Sequence, residues 1–177
     1  MKTMRNHLSA RRLVLCGLAI ALVAVTTLAV RIPNPAHGYV NFGDSMIFAL
    51  ALLGGPVLAA ATGGLGSALA DLLAGYPQWI IPTFLVKGIE GLLAGLLAGR
   101  LAARLKHLPT MLRAVAGLAV AGIWMVAGYF LSATAMYGFA AAVANIPGDL
   151  VQAGVSVPIA LLLAWLLYKA GAGKFFA

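Results

Sequence analysis

Lys87 and Glu90 are the two residues whose chemistry the rest of this chain must accommodate. Both lie inside the apolar stretch from Gly75 to Gly99, GYPQWIIPTFLVKGIEGLLAGLLAG, which reads as a membrane-spanning helix. A charge at the centre of such a helix costs about 2.5–3.5 kcal/mol or more and normally faces a bundle interior with a partner in reach. Residues three apart share one helix face, so this ammonium and carboxylate can meet. Tyr76 and Trp79 open the segment, where amphipathic rings mark the membrane–water boundary. At about 1.5 Å per residue, Lys87 lies ~12 Å inward from Trp79. The helix is expected to form one wall of a polar pocket that opens to the outside.

Composition supplies the bilayer. Of 177 residues, 63% are hydrophobic and 9% charged, with a mean hydropathy of +1.01, whereas soluble domains carry about 25% charged residues. At about 20 residues per crossing, the chain has room for six transmembrane helices. They are expected at 13–30, 44–53, 56–75, 79–104, 114–131 and 146–168, in one compact all-α bundle covering residues 1–177. The net charge of +8 would suit nucleic acid. The basic residues stand at the ends of apolar segments, however, so the partner they fit is the lipid surface and no nucleic acid is expected. Cys16 is the single cysteine and the three histidines are scattered. No internal disulfide and no metal-ligand spacing follow, and no cofactor is expected.

Residues 1–12 carry Lys2, Arg5, Arg11 and Arg12, and an uncharged run from Leu13 to Val30 follows. That run exceeds the ~7–15 residue core of a signal peptide and lacks its cleavage site, so it reads as a retained first helix. Gly17 and Ala21 make a small-xxx-small face on it, suited either to tight packing in the bundle or to a partner helix. RIPNPAHGYVNFG, residues 31–43, reads as a long loop. Asp44 is expected to complement the dipole at the start of the next helix. Gly54, Gly55 and Pro56 turn the chain. Gly55, Ala59, Gly63, Ser67 and Asp71 then recur every four residues, as do Gly91, Gly95 and Gly99. Asp71 is read first as a cap or interhelical hydrogen bond and second as a ligand contact. Residues 132–146 read as a connection before the last helix.

Charge sets the expected topology. Lys and Arg gather at the N-terminus, in the connection holding Arg100, Arg104, Lys106 and Arg113, and at Lys169 and Lys174. With six helices these clusters share one side, which the positive-inside rule makes cytoplasmic, with both termini there. The four acids are Asp44, Asp71, Glu90 and Asp149. Three stand at outer helix ends, near Asn41, Gln78, Asn145 and Gln152 and among Tyr and Trp. A few placed polar groups among aromatic walls describe a small-molecule pocket. Against Lys87 and Arg31 its formal balance is negative, which favours a neutral or cationic ligand.

The order of IPxP…GYVNFGD, SALADLLAGYPQW, LVKGIEGLLAGL and NIPGDLVQ resembles the substrate-binding subunits, or S components, of energy-coupling factor (ECF) transporters, bacterial importers of vitamins. The resemblance covers nearly the whole chain. It implies a high-affinity site for a vitamin or precursor on the outer side of the cell membrane. It also implies docking on a transmembrane coupling subunit that carries two ATPase subunits, and a toppling motion in the bilayer. Docking in that family uses a small-xxx-small motif on the first helix, here Gly17 and Ala21. The implied substrate-binding residues are Asn41, Gln78, Trp79, Lys87, Glu90, Tyr129, Asn145, Asp149 and Gln152. Many relatives read Glu-x-Pro-x-Asn-x-x-Gln on the last helix. Here Asn145, Pro147, Asp149 and Gln152 exchange the acid and the amide, and these select opposite partners.

The expected ligand is heteroaromatic, of hydroxymethylpyrimidine, pyridoxine-like or thiamine-like type, stacked on Trp79 or Tyr129. The chain lacks GxxxxGK[ST], so ATP use falls to partners. It also lacks GxSxG, HExxH and CxxC, and no enzyme activity is expected. The rival readings are a self-sufficient small channel or exporter lined by Lys87 and Glu90, and an intramembrane enzyme using Asp44, Asp71 or Asp149.

Overall fold

The computed structural model describes residues 10–101 and 109–171. The first helix, α1, is Ala10–Ala29. A short antiparallel hairpin follows, with strands β1 (Arg31–Pro33) and β2 (Tyr39–Asn41); Arg31 lies opposite Asn41 and Pro33 opposite Tyr39. Helix α2 is Gly43–Ala74, a 3-10 turn spans Pro77–Trp79, and α3 is Ile80–Ala94. A π-helical stretch, Gly95–Leu101, continues α3. Helices α4 (Thr110–Tyr137) and α5 (Phe139–Lys169) complete the bundle. Among the described residues, four segments are long and apolar enough to cross a membrane: Gly43–Ala74, Pro77–Ala98, Thr110–Tyr137 and Phe139–Lys169. Leu13–Ala29 is a shorter apolar helix. The architecture is that of an all-α membrane protein.

Among the described residues there are five α-helices, where the sequence reading expects six. The difference arises at the glycine–proline step. Segments 44–53 and 56–75 form one element, broken at Gly55, whose φ of 78° and ψ of −174° only glycine adopts readily. Pro56 then begins the second half, where its missing N–H and fixed φ suit a helix start. The expected connection 132–146 is corrected more fully. Helix α4 runs on to Tyr137, and Gly138 alone (φ 88°) separates it from α5. Ser132 and Thr134 donate back to the carbonyls of Gly128 and Phe130, each at 2.8 Å. Their hydroxyls are thereby satisfied inside the helix. The expected helix 79–104 keeps regular α geometry only to Ala94, and residues 102–104 lie outside the described residues. So do Lys2, Arg5, Arg104, Lys106 and Lys174 of the basic clusters.

The first half of α2 is the central rod, and every residue from Gly43 to Ala51 is buried. Helix α2 packs on α3, α1 and α5, and α4 packs on α5 and α3. Small side chains dominate the contact: Ala51, Ala59, Ala94, Ala121 and Ala160 surround Phe48 and Leu118. With no gain in hydrophobic burial between lipid and protein, helices in a bilayer associate through such close packing. The stripe of small residues on α2 lies against α3. A Cβ on Gly63 would stand 2.9 Å from the Lys87 carbonyl oxygen and 3.2 Å from Ile47 Cγ2. The two backbones therefore touch at the level of the charged residue. At its far end α2 stops in a Schellman motif: the N–H of Tyr76 donates to the Asp71 carbonyl at 2.9 Å, with Gly75 left-handed at φ 83°.

Gly17 and Ala21 stand on the outer surface of α1, and a Cβ on Gly17 would meet nothing within 4 Å. Val14, Leu18 and Val25 share this exposure. The small-xxx-small face is therefore not used for packing within the described bundle.

A methyl group at Gly63 would press on the Lys87 backbone carbonyl and on the buried Ile47 side chain. Gly63→Ala is expected to destabilise the protein by about 1–3 kcal/mol, the range for overpacking. Gly154→Ala, at a helical site open on all sides, is expected to be neutral or to stabilise by up to about 1 kcal/mol. Thermal unfolding of the detergent-solubilised variants measures both.

Candidate functional site

The α2–α3 contact brings two carboxylates to one ammonium. Lys87 Nζ pairs with Asp44 Oδ1 and lies 3.0 Å from Glu90 Oε2, with side chains no more than 1% exposed. Gln152 on α5 donates from Nε2 to Asp44 Oδ2 at 2.8 Å. Its Oε1 accepts the backbone N–H of Asn41 at 2.8 Å. One amide thus joins α5, the hairpin and the ion cluster. Asp44 does not cap its helix; Phe42 holds the cap position and no side chain completes it. Asp44 keeps its place in the first turn, where it complements the dipole, and adds a buried ion pair that the sequence reading did not include. Glu90 meets Lys87 as its i,i+3 spacing predicts, but its Oε1 has no hydrogen-bond partner.

A cleft opens beside this cluster, with an empty volume of about 470 Å³ counting its mouth. Of the residues named from the sequence, Asn41, Trp79, Lys87, Tyr129, Asn145, Asp149 and Gln152 line it. Two do not. Gln78 is exposed and donates to the His37 carbonyl at 3.3 Å. Glu90 is fully buried behind Lys87. Trp79 and Tyr129 make the aromatic wall, with ring centroids 5.7 Å apart and planes at 69°. Tyr129 Oη donates to Thr83 at 3.3 Å, and its ring lies 5.3 Å from Lys87 Nζ.

Tyr39, Ser67, Asp71 and Thr83 also line the cleft. Tyr39 and Thr83 went unread in the sequence, and Ser67 was read only as a packing residue. Alternation in β2 turns Tyr39 inward, but a strand of three residues is too short to announce itself. The Tyr39 hydroxyl donates to Asp71 Oδ1 at 2.7 Å. Burial and then the neighbouring Asp71 carboxylate push the phenol's pKa well above its ordinary value, so it acts as a neutral donor.

The hairpin roofs the cleft and is fastened by the lining itself. His37 is held at φ 51°, an unusual conformation for a residue with a side chain. Its carbonyl accepts Trp79 Nε1–H at 3.1 Å. Asn145 Oδ1 accepts the backbone N–H of Ala36 at 3.3 Å. Trp79 is 4% exposed beneath this roof.

A bundle of apolar helices with a roofed polar cleft is the form of a membrane-embedded binding protein, and the family model described as ECF-type riboflavin transporter, S component, matches residues 7–169. The chain belongs to this S-component family. This S component is 43% identical over 148 residues to an uncharacterized protein, gap 3′ region, of Pyrococcus woesei, covering 83% of this chain and 95% of that one. It is 30% identical over 140 residues to the thiamine precursor transporter HmpT of Lactococcus lactis subsp. cremoris (strain MG1363), covering 79% and 76%. It is a transmembrane transport protein of a vitamin-uptake family, as the sequence motifs implied.

Removing the ammonium would leave Asp44 and Glu90 buried without their counter-ion. Lys87→Met is expected to lower stability by about 3–5 kcal/mol, the cost of breaking a buried pair from one side. Neutralising the cluster together, as Asp44→Asn, Lys87→Met and Glu90→Gln, is expected to recover most of that loss. Unfolding midpoints of the two variants measure the difference. A single variant as stable as wild type would show that the cluster adds nothing.

Proposed function

We propose that this S component is the high-affinity binding subunit of an importer, and that it takes a heteroaromatic vitamin or vitamin precursor into the cleft under the hairpin. The observation that carries this reading is the cleft's composition. The aromatic side chains of Tyr39, Trp79 and Tyr129 stand beside amides and the carboxylates of Asp71 and Asp149, within a bundle built mainly of apolar side chains. Stacking supplies affinity and the polar groups supply orientation. The printed names of the family model and of HmpT both concern ligands of the vitamin class. A thiamine precursor, of hydroxymethylpyrimidine type, fits the negative balance of the lining better than a multiply charged anion.

In this reading Asn41, Trp79, Lys87, Tyr129, Asn145, Asp149 and Gln152 form the binding site. Gln78 and Glu90 act from behind it, one on the roof and one on Lys87. In this reading the protein crosses the cell membrane six times with both termini in the cytoplasm; the break of α2 at Gly55 supports counting its two halves as separate segments. Gly17 and Ala21, free on α1, are the docking face for a transmembrane coupling subunit with two ATPase subunits, which supply the energy. Lys87 and Glu90 are buried and paired with each other at 3.0 Å, which gives a channel lined by them no support.

Small molecules released by denaturing the purified protein, read by mass spectrometry, test the function. A heteroaromatic compound at about one per chain is expected. Trp79→Ala should then weaken binding of that compound about tenfold to hundredfold, the worth of one stacked ring. Trp124→Ala, whose indole holds the Val86 carbonyl at 3.1 Å outside the cleft, should leave affinity within about threefold. Equal losses for the two, or an empty protein that a vitamin panel does not stabilise, would sink the reading.

A further inference from the structure

The polar atoms of the cleft are unequally occupied. Its strongest donors already have acceptors within the protein. Lys87 serves Asp44 and Glu90, Trp79 Nε1 serves the His37 carbonyl, and Tyr39 serves Asp71. Gln152 Nε2 serves Asp44. Among the described residues, Asp149 makes no hydrogen bond or ion pair, although it is 6% exposed and lines the cleft. Asp71 Oδ2 and Ser67 Oγ are buried in the same lining without hydrogen-bond partners. The free ionisable groups are thus acceptors, the carboxylates of Asp149 and Asp71, beside a Ser67 hydroxyl that can accept or donate.

A buried carboxylate without partners is costly, and bonds made to it by N–H donors are among the stronger hydrogen bonds. A ligand that brings donors relieves that cost on binding. A ligand that brings a carbonyl or phosphate to the same place adds repulsion. Among the described residues, Lys87 is the one cation in the lining and is matched by two carboxylates, so it cannot neutralise an anionic ligand without abandoning them.

We propose that Asp149 is the specificity-determining residue of the cleft. It selects neutral or cationic heteroaromatic ligands that present an exocyclic amine or similar N–H donor, and it rejects their carbonyl analogues and phosphate esters. Asp71 Oδ2 and Ser67 Oγ accept further donors of the same ligand. The free amide groups of Asn41 and Asn145 remain to donate to ring nitrogens. This rests on the binding function proposed above.

Titration calorimetry on the full chain in nanodiscs tests it with three pyrimidines. They are the amino-hydroxymethyl-methylpyrimidine half of thiamine, its analogue with the ring amine replaced by a carbonyl, and its phosphate monoester. Thiamine, pyridoxine and riboflavin complete the panel. Wild type is expected to bind the amine about tenfold to hundredfold tighter than either analogue, the range for a charge-assisted bond. Asp149→Asn is expected to lose most of the affinity for the amine and to bring the amine-to-carbonyl ratio within about threefold. Equal affinities in wild type, or an unchanged ratio in Asp149→Asn, would overturn the assignment while the binding function stands. Binding of riboflavin alone would do the same. Binding of no compound at all would overturn the function and the assignment together. If Asp149→Asn does not fold, the wild-type ratio still decides.

Discussion

One ammonium held between two carboxylates in the middle of a membrane bundle sets the terms for everything around it. An ion pair buried in a low-dielectric interior recovers its desolvation cost only when geometry and further hydrogen bonds are good. Lys87 reaches that condition by drawing on three separate elements. Its own helix supplies Glu90, α2 supplies Asp44, and α5 supplies Gln152, whose amide completes Asp44 and then holds the hairpin at Asn41. No two of these elements could shift relative to one another without exposing a charge to hydrocarbon or leaving an acceptor unpaired. The cluster therefore fixes the register of α2, α3 and α5 as well as the height of the roof.

Such a cluster needs backbones that come close, and the small residues provide this. The Lys87 carbonyl lies within 2.9 Å of where a Cβ on Gly63 would be. A side chain there would push α3 away from α2 and lengthen the Lys87–Asp44 contact. Packing and electrostatics are thus one constraint: the glycines permit the approach, and the charges make any departure from it expensive. The alanine-rich core between α2, α3 and α4 extends the same approach toward the other end of the bundle.

The sequence carried the parts of this that depend on local spacing. The i,i+3 relation of Lys87 and Glu90, the bilayer setting, and the gathering of Asn145, Asp149 and Gln152 on one helix are all periodic signals. It did not carry the parts that depend on which distant residues meet. Asp44 stands beside a loop at a helix start, where a carboxylate is most simply read as complementing the dipole; only the tertiary fold reveals that its partner is 43 residues away. The break between 132 and 146 was misread because Ser132 and Thr134 look polar while bonding back to their own helix. Gln78 is implied as a site residue by the family resemblance, yet adjacent residues in a 3-10 turn face different ways, and it is exposed while Trp79 is buried.

The roof gives the division between occupied and free groups a thermodynamic meaning. Trp79 Nε1, Asp71 Oδ1, Asn145 Oδ1 and Gln152 Oε1 each hold the hairpin. A ligand that takes one of these atoms must first release a hairpin bond, worth about 0.5–1.5 kcal/mol net. A ligand that uses Asp149, Ser67 Oγ and Asp71 Oδ2 takes none of the four atoms that hold the hairpin. Contacts to the free acceptors therefore add to affinity in full, whereas contacts to the occupied groups are discounted by the roof they loosen. A cleft built this way favours ligands whose donors reach the free carboxylates.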